Sequence, residues 1–388
     1  MDVKFDLEQL FDSCKQRELY HRYITNNHIE PLLKKLGLGY HIEVIGQSVN
    51  KLPIYGVKIG RGSKKILMWS QMHGNESTTT KALFDLFNFL QSDTAHFLEK
   101  CTLFIIPILN PDGALTYNRN NANNIDLNRD AQDLSQPESK VLRQVFDKYR
   151  PDFCFNLHGQ RTIFSAGSSE NPAVVSFLAP SQDNDCTVTE NRKKAMEVVV
   201  AMSNMLQLII PSKVGIYDDA FNINCVGDTF QSKNVPTILF EAGHYNCDYS
   251  REEVRKYIFM SIVVAIDKIS NNDKELGLGR NYLPYYNIPK NEKRYFDIII
   301  RNAKINETQN ERILDIAIQF EEILVDNKVC FYPKVKKIGN LGEFYAHNTI
   351  KAKKQFIEFP KNKPLKMGDE IDFVKINNKL FSLKLTEK

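Results

Sequence analysis

From residue 64 onward, short apolar runs alternate with longer stretches in which apolar residues recur at helical spacing. The clearest apolar runs have the length of β-strands: KKILMWSQM, TLFIIPIL, PDFCFNL and VPTILFE. Strand-length apolar runs separated by amphipathic helices are typical of a mostly parallel sheet with helical crossovers. The pattern therefore predicts an α/β fold, with a mostly parallel mixed sheet and helices on both faces.

Three stretches between and after these runs are predicted to be helices. In STTTKALFDLFNFLQSD, apolar residues at helical spacing follow hydroxyl side chains that can cap a helix. SQPESKVLRQVFDKY begins with Ser135 and Pro137, which are typical of helix starts. REEVRKYIFMSIVVAIDKIS is predicted to be a long buried helix that closes the domain, because its apolar part is too short to cross a membrane.

The pattern changes near residue 272. Residues from about 272 to 290 are rich in Gly, Pro and Asn, which marks a linker or a change of domain. Beyond them, apolar and polar residues alternate from Leu314 to Phe320, and KPLKMGDEIDFVKINNKLFSLKL has the turns of a meander of short strands. We therefore expect a large α/β domain over residues 1–275 and a small β-rich domain over residues 290–388.

Charge and composition exclude several classes of protein. The 388 residues are 42% hydrophobic and 25% charged, which is enough to build one large core and a smaller one. The 51 basic and 47 acidic residues nearly cancel, so the chain lacks the concentrated basic surface that nucleic-acid binding requires. Lysines are dense in the last hundred residues, and we interpret them as a solvated face.

The N-terminal stretch and the cysteines predict a location. MDVKFDLEQLFDSCKQ has no basic start, apolar core or small-residue cleavage site, so we expect no secretory signal. The seven cysteines are odd in number and scattered, and they contain no C-x-x-C pair. Free thiols are the expected state, so we predict a cytoplasmic protein with no membrane partner. The oligomeric state is not predicted.

His73 and Glu76 are the first candidates for chemistry. They lie three positions apart in WSQMHGNES, directly after a predicted strand. An H-x-x-E motif alone is weak, since a surface His-Glu pair is its ordinary explanation. However, the end of a strand before a helix is where open α/β sheets place ligand sites. Imidazole and carboxylate are both zinc ligands, and a catalytic zinc needs a third protein ligand.

Two further strand ends supply candidates for the rest of such a site. His158 ends FCFNLH and is the best third ligand, while His244 in EAGHY is its competitor. Glu241, at the end of TILFE, is a candidate base for a zinc-activated water. A carboxylate after so apolar a strand is costly unless it lies in a cleft or is paired. A helix cap or a salt bridge is the structural alternative for Glu241.

An asparagine-rich segment from Asn110 to Asp130 follows another strand. Asn-Pro-Asp-Gly predicts a turn and the residues after it a loop, which needs no function. The loop nevertheless brings Arg119, Asp126, Asn128 and Arg129 close together in sequence. A guanidinium beside an amide is suited to holding a carboxylate, and an acidic side chain can orient a zinc-bound histidine.

These motifs carry a family resemblance. In this order and at these separations, HGNE, NPDG, RNNANNIDLNR, NLHG and LFEAG resemble the zinc metallocarboxypeptidases typified by carboxypeptidase A. The resemblance covers roughly residues 40 to 270 and begins with VIGQSVNKLPIYGVKIG, where the family's usual arginine after Gly-x-Ser is missing. It implies a zinc-dependent exopeptidase with one zinc ion, which hydrolyses the C-terminal peptide bond of peptides with a free C-terminus.

The resemblance also implies a role for each residue of the zinc centre. His73, Glu76 and His158 would bind the zinc ion. Glu241 would be the general base that activates the metal-bound water. Asp126, two residues before the Asn-Arg pair, matches the acid that orients the first zinc histidine.

Four more roles concern the substrate. Arg119 would polarise the scissile carbonyl, and Asn128 and Arg129 would bind the terminal carboxylate of the substrate. Tyr217 in VGIYDDAF matches the family's mobile tyrosine, although its spacing differs slightly. The family usually continues Asn-Arg with asparagine and an aromatic residue, whereas NRDAQDLSQPES follows here. In NINCVGDTF, Asp228 either favours basic C-terminal residues or is structural.

Other functions stay open. Deacylases related to succinylglutamate desuccinylase and aspartoacylase share H-x-x-E, a later histidine, an Arg-…-Asp-Leu-Asn-Arg loop and a C-terminal β domain. NPDG and the Arg-Asn-Asn run favour the peptidase, but an N-acyl amino acid also presents a carboxylate to Arg129. A non-catalytic binding protein would be expected to lack a ligand or the base, and all four residues are present. Nucleic-acid binding has only the lysine-rich C-terminal segment in its favour.

Overall fold

The computed structural model forms two compact units. The first unit comprises Met1–Gln160 and Asn171–Asn291, and the second comprises Arg161–Glu170 and Glu292–Lys388. The residues that the structure describes are 3–91, 96–271, 275–307, 310–360 and 365–385. The sequence predicted a β-rich domain that begins at residue 290. The second unit corresponds to this domain but also contains Arg161–Glu170. Residues 272–274 of the expected linker and 363–364 of the expected meander lie outside the described residues.

The helices and strands are numbered in chain order. The helices are α1 (Val3–Cys14), α2 (Asn26–Leu33), α3 (Thr78–Leu90), α4 (Pro111–Leu115), α5 (Pro137–Tyr149), α6 (Glu190–Ile209), α7 (Val226–Ser232) and α8 (Glu252–Asn271). The strands are β1 (His41–Gln47), β2 (Pro53–Gly60), β3 (Lys64–Ser70), β4 (Cys101–Ile106), β5 (Phe153–Gly159), β6 (Ser165–Ala166), β7 (Val175–Leu178), β8 (Val214–Ile216), β9 (Thr237–Ala242), β10 (Asn291–Glu292), β11 (Tyr295–Glu307), β12 (Asn310–Val325), β13 (Lys328–Gly339), β14 (Tyr345–Lys351), β15 (Ile357–Glu358), β16 (Phe373–Ile376) and β17 (Lys379–Ser382).

The first unit is built on one eight-stranded sheet in the order β1-β2-β4-β3-β5-β9-β7-β8. At its centre β4, β3, β5 and β9 run parallel to one another. β1 and β2 form an antiparallel pair at one edge, and β7 is antiparallel to β9 near the other. The predicted mostly parallel mixed sheet is therefore confirmed. Because β3, β5 and β9 are parallel neighbours, their carboxyl ends meet at one edge of the sheet.

Alternating residues of the central strands build two cores. Ile66 and Met68 of β3 face a core that includes residues of α1, α3, α6 and α8. Leu67 and Trp69 alternate with them along β3 and face a second core, which includes residues of α5 and α7. Side chains alternate across a strand, so a fully apolar strand buries both its faces. The predicted helices on both faces of the sheet are confirmed.

The three predicted helices are present as α3, α5 and α8. Pro137 is the first residue of α5, as expected for a residue with no amide hydrogen to lose. Ser135 lies just outside the helix, and its hydroxyl donates to Asp130 Oδ1 at 2.7 Å. The sequence pattern gave no prediction for the 20-residue helix α6. More than half of its side chains are buried, including Arg192 and Glu197, so it lacks a simple apolar stripe.

The second unit is made of β-strands, as the sequence predicted for its C-terminal part. One sheet has the order β13-β12-β11-β14 and another the order β15-β16-β17. The hairpin of β12 and β13 turns at Asp326 and Asn327, whose φ angles are 47° and 61°. Two such residues suit the tight turn of a hairpin. Among the described residues of the chain, no helix combines the length and the apolar character needed to span a membrane.

Candidate active site

Three adjacent strand ends carry the candidate residues. His73 lies in the loop between β3 and α3, His158 is near the end of β5, and Glu241 is near the end of β9. In the parallel pairing of β5 with β9, His158 stands directly opposite Glu241. The crossovers of the sheet thus bring together residues that are more than 80 positions apart along the chain.

The loop that presents His73 is fixed by close backbone packing. A Cβ atom at Gly74 would lie 1.9 Å from the carbonyl carbon of Gly113, so only glycine fits there. Asn110 Nδ2 donates to the carbonyl of Met72 at 3.2 Å. The Glu76 amide donates to the His73 carbonyl at 3.0 Å, which closes a turn immediately before α3. This turn places both side chains on the same side of the loop.

His73, Glu76 and His158 form a tight cluster. Glu76 Oε1 is 2.9 Å from His73 Nδ1, and Glu76 Oε2 is 2.9 Å from His158 Nδ1. The two Nδ1 atoms are 3.1 Å apart. Potential ligand atoms of the three residues all lie within 4.8 Å of one another. Both histidines are 2% exposed, so the cluster is shielded from bulk solvent.

The donor set of this cluster fits a metal ion. His73 Nε2 lies 3.0 Å from Asp126 Oδ1, and a carboxylate can only accept, so Nε2 carries the proton. In a neutral imidazole the lone pair is then on Nδ1, which faces Glu76 and His158. When both Nδ1 atoms are unprotonated, acceptor atoms converge on one point, as they do around a cation. Two imidazole nitrogens and a carboxylate are a common set of zinc ligands.

The charged groups of the cluster shift one another's pKa values. Burial works to lower the pKa of His73, but the carboxylates of Glu76 and Asp126 outweigh it and raise the pKa. Burial works to raise the pKa of Glu76, but the two histidines hold it well below its usual range. Burial lowers the pKa of His158 despite the nearby Glu76. These directions favour an ionised Glu76 and a neutral His158, which are the ligand forms that a metal requires.

Arg119 and Asp126 border the cluster. The Arg119 guanidinium donates to Asp126 Oδ2 through Nε at 3.2 Å and Nη2 at 3.1 Å. Its Nη1 lies 3.4 Å from Glu76 Oε1, and about half of the side chain, 47%, is exposed. Burial works to raise the pKa of Asp126, but His73 and Arg119 lower it strongly. Asp126 therefore stays ionised between the imidazole and the guanidinium.

Asn128 and Arg129 lie beside the start of α7. Asn128 Oδ1 accepts from the Val226 amide at 3.0 Å. Arg129 Nη1 donates to the carbonyl of Asn128 at 2.7 Å and to Cys225 Sγ at 3.2 Å. The same nitrogen, Nη1, donates both of these bonds. The structure thus brings this pair to the same side of the sheet edge as Asp126, whose Oδ1 accepts from the Asn128 amide at 2.9 Å.

Glu241 and Tyr217 occupy the other side. Glu241 Oε2 is buried and has no hydrogen-bond partner among the described residues. Burial, and then the charge of Glu76, raise the pKa of Glu241 well above its usual range. Tyr217 follows β8, and its amide donates to the Phe177 carbonyl at 3.0 Å. Burial and the charges of Glu241 and Glu76 raise the pKa of its phenol, so Tyr217 lies within electrostatic reach of both carboxylates.

Two sequence candidates lie outside the cluster, and one residue was not foreseen. His244 is buried and packs against Tyr249 at 4.5 Å between ring centroids, and it is not part of the three-residue group. Asp228 lies in α7 and accepts from the Asn222 amide at 3.1 Å, and burial raises its pKa to about 6. Arg251 is buried next to Glu241, although its setting in SREEVRK resembles an ordinary charged helix start.

Known proteins are similar to this chain in sequence and in fold. A sequence model of the zinc carboxypeptidase family matches residues 39–250, which is more than half of the chain. Carboxypeptidase SOL1 of Arabidopsis thaliana is 30% identical over 194 residues, or 43% of this chain and 40% of that protein. The alignment therefore spans less than half of the length of this curated relative.

Two solved structures have a similar fold. Carboxypeptidase A from Helicoverpa armigera superposes with a TM-score of 0.51 at 18% identity, covering 70% of this chain and 82% of that one. A metallo-carboxypeptidase from Burkholderia cenocepacia gives a TM-score of 0.50 at 16% identity, covering 64% of this chain and 70% of that one. At these identities the likeness concerns the fold.

Proposed function

Because the chain belongs to the zinc carboxypeptidase family, we propose that it is a zinc-dependent metallocarboxypeptidase that removes residues from the free C-termini of peptides. One observation carries the proposal: two histidines and a glutamate converge at the sheet edge, with Glu241 on the neighbouring strand end. Residues with strongly shifted pKa values that cluster in this way are characteristic of functional sites.

His73, Glu76 and His158 would hold one zinc ion through the two Nδ1 atoms and the carboxylate. Asp126 would keep the proton on His73 Nε2, so that Nδ1 stays available as a ligand. When bound, zinc supplies a Lewis acid for the scissile carbonyl and lowers the pKa of a water molecule toward neutrality.

Glu241 would act as the general base. Within the part of the chain that the structure describes, its Oε2 has no partner to compete for a proton, and burial makes the carboxylate more basic than usual. It would accept a proton from the attacking water and then donate that proton to the leaving amine. The carboxylate is thus regenerated at the end of each cycle.

Arg119, Asn128, Arg129 and Tyr217 would hold the substrate. Arg119 is partly exposed beside Glu76, where its guanidinium can donate to the oxygen that gains charge. Arg129 and Asn128 would bind the terminal carboxylate, which an internal peptide bond cannot present. Anchoring this group restricts the reaction to the last peptide bond. Tyr217 would cover the bound residue from the side of Glu241.

Mass-spectrometric product analysis tests this function. The zinc-loaded protein is incubated with matched peptides that carry free or amidated C-termini, and with N-acyl amino acids. The proposal predicts loss of single residues from free C-termini only, with no products from Glu241→Gln. Hydrolysis of the N-acyl amino acids alone would assign the protein to the deacylases, since they too present a carboxylate to Arg129. Internal cleavage of the amidated peptides would contradict an exopeptidase.

A further inference from the structure

A buried arginine lies just beyond the catalytic strand ends. Arg251 is 2% exposed and precedes α8, in the loop that leads from β9. Its φ angle is +60°, a conformation that turns the chain sharply before the helix. Asp248 fixes this turn, because its carbonyl accepts from the Arg251 amide at 3.1 Å and its Oδ1 accepts from the Glu252 amide at 2.9 Å. The turn directs the guanidinium toward the sheet.

The guanidinium bonds to the backbone of two strands. Arg251 Nη1 donates to the carbonyl of Ala242 at 2.6 Å and also to that of Gly243, while Nη2 donates to the carbonyl of Gln160 at 2.9 Å. Ala242 directly follows Glu241, and Gln160 is two residues after His158. The Gln160 amide itself donates to the Ala242 carbonyl at 2.9 Å. Arg251 thus closes the β5–β9 ladder one step beyond the His158–Glu241 pair.

The backbone around Gly243 is closely packed. A Cβ atom at Gly243 would lie 2.1 Å from the Ala173 carbonyl oxygen and 2.5 Å from Gln160 Nε2. The Gly243 amide donates to the Val174 carbonyl at 2.9 Å. The guanidinium therefore bonds segments whose backbones are already in close contact. A change in its geometry would displace Glu241.

The positive charge of Arg251 also supports Glu241 as a general base. It lowers the pKa of Glu241, against the larger effects of burial and of Glu76. A positive charge in a poorly solvated site interacts strongly with a nearby carboxylate. Arg251 therefore favours the ionised form that a general base needs before each cycle.

We propose that Arg251 is a positioning residue for the reaction, which holds Glu241 in register with His158 by bonding the carbonyls at the ends of β5 and β9. The inference rests on the proposed peptidase function. A lysine keeps the charge but has one nitrogen, so it cannot reproduce the two-nitrogen fork. The geometry and the charge of Arg251 can therefore be separated by substitution.

The test compares Arg251→Met and Arg251→Lys with Arg255→Lys in the zinc-loaded protein. Arg255 is a matched control, since it is fully buried in α8 and bonds the carbonyls of Leu19 and Gln16. For Arg251→Met we expect kcat to fall about 100-fold, because a small displacement of a catalytic group costs about this much. KM and zinc content should stay within twofold. Arg251→Lys should fall between wild type and Arg251→Met, and Arg255→Lys should lower thermal stability while leaving kcat within twofold.

Amide hydrogen exchange gives a second readout that does not depend on turnover. Arg251→Lys should speed exchange of the Gln160 and Gly243 amides at least tenfold, while amides in α5 keep the wild-type rate. This arm holds even if Arg251→Met does not fold. A wild-type kcat in the Arg251 variants, or an equal loss in Arg255→Lys, would overturn the inference. An inactive wild type would instead refute the proposed function, and the exchange rates would still decide whether Arg251 holds the strand ends.

Discussion

Two clusters of buried charge lie near α3, and they are built on opposite principles. The candidate zinc cluster consists of His73, Glu76 and His158 with Glu241. The α3–α8 ion cluster consists of Lys81, Asp85, Glu252 and Arg255. Both hold ionisable groups that water reaches poorly.

The α3–α8 ion cluster is complete in itself. Arg255 Nη2 is 2.5 Å from Asp85 Oδ1, and Lys81 Nζ is 2.5 Å from Glu252 Oε1. Asp85 Oδ1 also accepts from the Gln16 amide at 2.7 Å, so the cluster holds the N-terminal segment. Each charge faces an opposite charge, and Lys81 and Arg255 also donate to backbone carbonyls. Because its charges are paired within the chain, such a network needs no ligand.

The candidate zinc cluster is incomplete. When both Nδ1 atoms are unprotonated, two imidazole nitrogens and a carboxylate face one another as acceptors, and Glu241 Oε2 has no partner among the described residues. Leaving buried polar groups unmatched costs free energy that a purely structural cluster would avoid. The difference between the clusters therefore separates a structural role from a binding role more clearly than burial or charge alone.

The largest expected effect is on turnover. Glu241→Gln removes the base and leaves the three candidate ligands in place, so kcat should fall about 1,000-fold, within the usual contribution of general acid–base catalysis. Thermal stability should be unchanged or higher, because the lost carboxylate has a buried Oε2 that no described residue bonds. Steady-state kinetics and a thermal melt on the same sample check both expectations. A large drop in stability would place Glu241 with the structural charges.

The opposite result is expected in the α3–α8 ion cluster. Asp85→Asn removes the carboxylate that bonds two nitrogens of Arg255, leaves it the Glu252 Oε2 at 3.2 Å, and should destabilise the fold by about 3 kcal/mol, as for other broken buried pairs. The kcat of the folded protein should stay within twofold of wild type. Urea unfolding followed by kinetics at low urea measures the two quantities. If kcat fell in proportion to stability, the two clusters would not be separable.

Metal removal should destabilise the protein only when the candidate zinc ligands are intact, whatever the state of the α3–α8 ion cluster. Zinc at 100 times its dissociation constant stabilises the folded state by about 2.7 kcal/mol through mass action. A chelator should therefore lower the melting temperature of wild type and of Asp85→Asn by similar amounts. It should have no effect on Glu76→Gln, which lacks a ligand. A chelator effect that persists in Glu76→Gln would place the metal elsewhere.

The smallest expected effect is the pH dependence of the ion cluster. Burial lowers the pKa of Lys81 to about 8, although the Glu252 carboxylate opposes this change. Between this pKa and the higher pKa of an unfolded lysine, the unfolded chain binds more protons, so the contribution of Lys81 to the free energy of unfolding rises with pH. The gain from pH 8 to pH 9 should be about 1 kcal/mol relative to Lys81→Met. A difference of the opposite sign in urea titrations would contradict this assignment.

The same contrast explains what the sequence could predict. His73, His158 and Glu241 each follow an apolar run, so a local pattern places them at strand ends. The asparagine-rich loop already offered Arg119 and Asp126, the family resemblance gave each a role, and the structure finds them beside Glu76 and His73. The mostly parallel sheet was predicted for the same reason, because buried strands are readable from short apolar runs.

Other features depend on contacts that no local pattern encodes. Lys81 and Asp85 look like the polar positions of an amphipathic helix, and their burial results from packing against α8 and the N-terminal segment. Arg251 resembles a helix-start charge until the ends of β5 and β9 are brought together. Arg161–Glu170 belongs to the second unit only because it bonds there, as in the 3.0 Å bond from the Tyr295 amide to the Ile163 carbonyl.

The central claim is that the incomplete cluster is a zinc site, and metal content tests it most directly. The wild type, His158→Ala and Glu252→Gln are loaded with zinc, dialysed against metal-free buffer and measured by plasma mass spectrometry. We expect about one zinc ion per chain, as for a single site with three protein ligands, in wild type and in Glu252→Gln, and almost none in His158→Ala. Equal zinc in all three proteins, or none in wild type, would contradict the account.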